Sequence, residues 1–132
     1  MKAYTDLEQS KKLAEILSLE SADMEYMFLK EDGTKVTNIP FVKDDEEPEW
    51  PSDSAYDFIP CWSLAALINV IPYTIYKSDN EFYRLGIDKG YDDYAVWYNN
   101  NGFTVTDLDV TSDNFVDACY EMIIKLNELK ML

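Results

Sequence analysis

The 132-residue chain contains no histidine, and its 11 lysines and arginines stand against 26 aspartates and glutamates. Without histidine, the commonest general base and the commonest metal ligand are both missing. The resulting net charge of −15 argues against a nucleic-acid backbone or an anionic membrane surface as partner, since both are polyanions. Glycine is scarce as well. The four glycines, Gly33, Gly86, Gly90 and Gly102, form no phosphate-cradling loop. Two cysteines, Cys61 and Cys119, lack the spacing of a zinc site and read as reduced, buried, small hydrophobes, a disulfide between them requiring that their two predicted helices pack at that point. No apolar run is long enough to cross a bilayer. The longest weakly polar stretch, Ile59 to Tyr76, is interrupted by Ser63, Asn69 and two prolines. Charged residues punctuate the N-terminus every few positions, which excludes a secretory h-region and points to a cytoplasmic chain.

What is present is ample apolar material. Hydrophobic residues make up 47% and aromatics 14% of the chain, enough to bury a core despite the charge. The length fits a single domain over residues 1–132.

Thr5-Asp6-Leu7-Glu8 has the form of a capping box with Thr5 as the cap. Behind it Leu7, Leu13, Ala14, Ile16 and Leu17 cluster at helical spacing, with Glu8–Lys12 and Lys11–Glu15 placed to pair, predicting a helix over 6–18. Met24 to Lys30 alternates like a strand and ends at the turn Glu31-Asp32-Gly33-Thr34. Lys35 to Val42 can return as a second strand, restricted to an edge by Pro40. Asp44–Asp57 holds seven acids, two prolines and no basic residue, and reads as a surface loop or extended arm joining two halves of one domain. Leu64, Leu67, Ile68 and Ile71, bracketed by Pro60 and Pro72, predict a short apolar helix over 61–71.

Four strand patterns follow over 73–77, 82–88, 93–98 and 103–108, joined by connections too short for parallel crossovers. In the third, Tyr94, Val96 and Tyr98 fall on one face and Ala95 and Trp97 on the other. Both faces of the sheet are therefore partly apolar, one to be covered and one open to engagement. Phe115, Cys119, Met122, Leu126 and Leu129 recur at 4-3-4-3 spacing, with Ser112 or Asp113 as cap, predicting a helix over 113–130. The same spacing can serve a weak homodimer through this C-terminal helix, the alternative being a monomer. The predicted fold is α+β: an antiparallel sheet, with a meander of about four strands plus an N-terminal strand or hairpin, packed by three helices.

Motifs for chemistry are few. Asp107-Leu108-Asp109-Val110-Thr111 resembles the DxDxT signature of haloacid-dehalogenase-like phosphatases, in which one aspartate attacks phosphorus, the other handles the proton and both face magnesium. That family places the motif at its first strand with a large parallel domain behind it. Here 21 residues follow Thr111, so a strand end before a helix is the simpler reading. Read as a calcium loop, the same stretch has Ser112 at the glycine position and Ala118 at the bidentate glutamate position. Neither cysteine has a histidine partner. No cofactor and no metal site is expected, and the chain is not read as an enzyme.

The aromatics are the more informative set. Trp50, Tyr56, Phe58 and Trp62 fall in and after the acidic segment, interspersed with Asp53 and Asp57, while Tyr91, Tyr94, Trp97 and Tyr98 fall in the meander. Aromatics among acids suit a basic peptide or protein, through cation–π contacts and charge. The simpler reading of Phe58 and Trp62 is that they anchor the loop to the core. The candidate partner-binding residues are therefore Trp50, Asp53, Tyr56, Asp57, Trp62 and Trp97.

Three blocks, EQSKKLAEILSLESADM, IPCWSLAAL and DACYEMIIKLNELK, together resemble a group of small, acidic, uncharacterised proteins of gut-bacterial genomes, often encoded in phage-like or mobile regions. The resemblance implies a bacterial or phage setting and supplies no site residue. The expected function is a non-catalytic protein-binding or accessory module. The alternatives are an acidic nucleic-acid mimic that inhibits a basic enzyme and, in second place, a small metal-dependent hydrolase.

Overall fold

The computed structural model describes residues 2–43 and 55–132. The predicted Asp44–Asp57 loop, with Trp50 and Asp53, lies outside the described residues up to position 54. The elements run α1 (Leu7–Ala14), β1 (Met24–Leu29), β2 (Phe41–Val42), β3 (Tyr56–Cys61), α2 (Leu64–Val70), β4 (Thr74–Ser78), β5 (Glu81–Lys89), β6 (Tyr94–Asn100), β7 (Phe103–Ser112) and α3 (Phe115–Glu128). The fold is α+β, with three helices and two antiparallel sheets, ordered β2-β1-β3 and β4-β5-β6-β7. The chain divides into two units, Tyr4–Ala66 and the first three residues with Leu67–Leu132, the boundary falling inside α2. No helix among the described residues is long and apolar enough to cross a membrane.

In the unit of residues 4–66, β1 is the central strand. It pairs with β3 from Met24↔Cys61 to Leu29↔Tyr56. On its other side the return strand is broken into a bridge at Phe28↔Lys35 and the short β2 pairing at Met24↔Val42. Pro40 accounts for the interruption, since proline cannot donate to a ladder. Strand β3 is an addition to the predicted elements. Tyr56 and Asp57 begin this strand rather than end a loop, and Pro60 sits in it rather than at a helix start. Ser63 starts α2 instead, its Oγ accepting from the Ala66 N–H at 3.2 Å.

The helix α1 starts one residue later than the predicted capping box. Asp6 Oδ1 accepts from the Gln9 N–H at 2.8 Å, and Gln9 Oε1 accepts from the Asp6 N–H at 3.1 Å. The Thr5 hydroxyl is engaged elsewhere. It accepts from the Trp62 N–H at 3.1 Å and pairs with Ser10 Oγ at 2.7 Å, while the Thr5 N–H donates to the Trp62 carbonyl at 2.9 Å. Tyr26 OH donates to the Thr5 carbonyl at 2.8 Å. Thr5 and Ser10 are thus fully buried polar residues with partners. On the solvent side of α1 the ion pair is Lys12–Glu15 at 3.8 Å, in place of the i,i+4 pairs expected.

In the unit of residues 67–132 the four-stranded meander carries α3 across β6 and β7. Val96 and Tyr98 on β6, and Leu108 and Val110 on β7, are buried, as are Val116, Cys119, Met122, Ile123 and Leu126 on α3. The buried part of the α3 stripe packs on its own sheet, while Leu129 at its end is 42% exposed. Asn114 caps α3, its Oδ1 accepting from the Asp117 N–H at 3.1 Å, where Ser112 or Asp113 was expected. Asn101 (φ 51°) and Gly102 (φ 86°) turn β6 into β7, two positive φ values as a type I′ hairpin requires.

Candidate partner-binding face

Of the predicted site residues, Tyr56, Asp57 and Trp62 belong to the unit of residues 4–66 and Trp97 to the other. Trp62 is fully buried, and its indole N–H donates to Ser21 Oγ at 2.9 Å. It anchors the core of its unit and offers no surface to a partner, so its assignment as a binding residue is corrected. Tyr56 and Asp57 stand at the start of β3 opposite Leu29 and Phe28, with Tyr56 half-buried and Asp57 exposed. Trp97 belongs to the other unit, on β6.

Trp97 lies on the sheet face opposite α3. Its strand neighbours are Gly86 on β5 and Asp109 on β7. A Cβ at Gly86 would stand 2.4 Å from Cε2 of the Trp97 ring, so the indole covers the bare glycine backbone. Two residues along, Asp88 and Ala95 pair; in the other direction Arg84 pairs with Asn99 and Phe82 with Tyr76. By strand alternation these side chains share the Trp97 face. Tyr76 is 76% exposed and Phe82 37%. Their rings stand 6.2 Å apart, and the Arg84 guanidinium lies 5.1 Å from the Phe82 ring. The face is thus a strip of aromatic surface with exposed carboxylates at Asp88 and Asp109. Sequence alternation put Trp97 here. Tyr76, Phe82, Asp88 and Asp109 were missed because only the strand register sets them beside it.

Asp109 stands opposite Trp97, whereas the ladder loses register between Trp97 and Asn99, and Asp107 lines a groove with Lys125 and Glu128 of α3. Among the described residues no group of three acidic or thiol side chains is placed to hold a metal ion. Cys61 and Cys119 are free and buried. Burial pushes the Cys119 thiol up to about 12 and raises Cys61 as well, the opposite of what an attacking thiolate needs. No protein-family model, curated protein or solved structure matches this chain.

Proposed function

We propose that the chain is a non-catalytic protein-binding module of a bacterium or its phage, acting in the cytoplasm on a basic partner. The observation that carries this reading is the face opposite α3, where the Trp97 indole over Gly86 is flanked by Asp109 and, two residues along, Asp88, with the exposed Tyr76 and Phe82 rings at the other end of the same face. Aromatic surface supplies contact area at little conformational cost, and flanking carboxylates favour lysine and arginine side chains while slowing approach of acidic proteins.

The test is affinity capture from a bacterial host with the wild-type chain and with Asp88→Lys/Asp109→Lys. A protein retained by the wild type and lost from the double variant, but still retained by Glu15→Lys on α1, supports the reading. Capture indifferent to the two reversals, or no saturable partner at all, removes it.

A further inference from the structure

We propose that the free edge of β4 accepts an extended acidic peptide as an added strand, a second binding surface that adjoins the Trp97 face at Tyr76. Strand β4 ends the order β4-β5-β6-β7. The Leu85 N–H donates to the Tyr73 carbonyl at 2.9 Å, and Ile75 pairs with Tyr83 in the same register. Antiparallel pairing alternates, so Tyr73 and Ile75 bond towards β5 while Thr74 and Tyr76 turn their N–H and C=O groups outward. Each of these two residues presents one donor and one acceptor in the spacing an incoming strand needs.

A groove of about 570 Å³ runs beside this edge, between β4 and Leu129–Leu132. Its charged side chains are Lys77 and Lys130, with no aspartate or glutamate in its lining, in a chain whose acids outnumber its basic residues 26 to 11. Leu129 and Leu132, 42% and 44% exposed, supply apolar surface. The opposite edge differs in both respects. Strand β7 exposes Asp107 and Asp109 and loses register against β6, devices that discourage pairing. An extended peptide bearing carboxylates is therefore attracted at β4 and repelled at β7. A second copy of the chain is the weaker occupant, because its own β4 edge would bring Lys77 rather than carboxylates to this groove.

The experiment uses the full chain and two synthetic peptides, one alternating valine with aspartate and one alternating valine with lysine. Amide hydrogen exchange is followed residue by residue. The aspartate peptide should bind saturably and slow exchange at Thr74 and Tyr76 by about tenfold. Lys77→Glu/Lys130→Glu, both at exposed positions, should weaken it about tenfold, with the circular dichroism spectrum checking that loss of the Lys77 ammonium 5.9 Å over the Tyr83 ring leaves the fold intact. Tyr76→Pro, at an outward N–H where an edge strand tolerates proline, should abolish protection while the circular dichroism spectrum stays native. Equal binding of the lysine peptide, protection on β7 or nowhere, or protection that grows with protein concentration in the absence of peptide would each overturn the proposal, the last by showing that a second copy takes the edge.

Discussion

The Trp97 indole lies directly over Gly86, so close that a methyl group there would reach 2.4 Å from Cε2. Gly86 sits in the middle of β5, where glycine ordinarily weakens a strand. Here the missing side chain is the seat of an aromatic ring, and the ring shields the exposed backbone in return. The pair couples the stability of the meander to the proposed binding face.

Gly86→Ala should accordingly destabilise the protein by about 1–3 kcal/mol, since the ring must leave its position. Trp97→Ala opens the space. The double variant should recover part of the Gly86→Ala loss, giving an interaction energy above about 0.5 kcal/mol in a urea-denaturation cycle. Strict additivity would show that the two residues do not compete for one volume.

Thr5 is the polar pivot of the first unit. Thr5→Val keeps the shape but leaves the buried Trp62 N–H and Ser10 hydroxyl without that oxygen, for an expected cost of about 1–3 kcal/mol. Asp6→Ala removes the α1 cap, at about 0.5–2 kcal/mol. If Thr5 were itself the cap, as the sequence suggests, Asp6→Ala would have no effect on the denaturation midpoint.

The C-terminal helix offers a direct check on which face is committed. Met122→Ala should cost about 2–5 kcal/mol, because Met122 is fully buried. Leu129→Ala, at a position 42% exposed, should cost less, about 1 kcal/mol or below. Sedimentation of the two variants should show no change in mass attributable to helix pairing.

Alkali should destabilise the chain. Burial raises the Cys119 thiol from 9.0 to about 12 and moves Cys61, Tyr26 and Tyr98 upward too. Each group stays protonated in the folded state after its unfolded counterpart has begun to ionise. The unfolded state then binds fewer protons, so stability is retained below about pH 9 and declines from there towards the folded values. Urea midpoints at pH 8 and pH 10.5 measure the fall. Cys119→Ala should flatten it, and native-state alkylation of either cysteine at pH 8 should be negligible until urea unfolds the chain.

Local patterns were legible wherever a long periodic segment carried them. The 4-3-4-3 stripe from Phe115 to Leu129 located α3, the alternation from Tyr94 to Tyr98 located β6 and its two faces, and Asn101-Gly102 marked its turn. Strand β3 was hidden because Pro60 and the adjoining acids imitate a loop, and only the six-residue pairing with β1 holds that segment as a strand. The caps slipped by one or two residues because Thr5 and Ser112 had other hydrogen bonds to make.

The sequence by itself determined the class of the fold, the antiparallel meander and the lack of histidine chemistry, since each follows from composition or from short-range spacing. The tertiary structure decided which aromatics face solvent. Trp62 and Trp97 are equivalent on any hydropathy scale, yet one is buried against Ser21 and the other lies on an open sheet. The difference arises from pairing register and from which face a helix covers, and those are set by contacts between residues far apart in the chain.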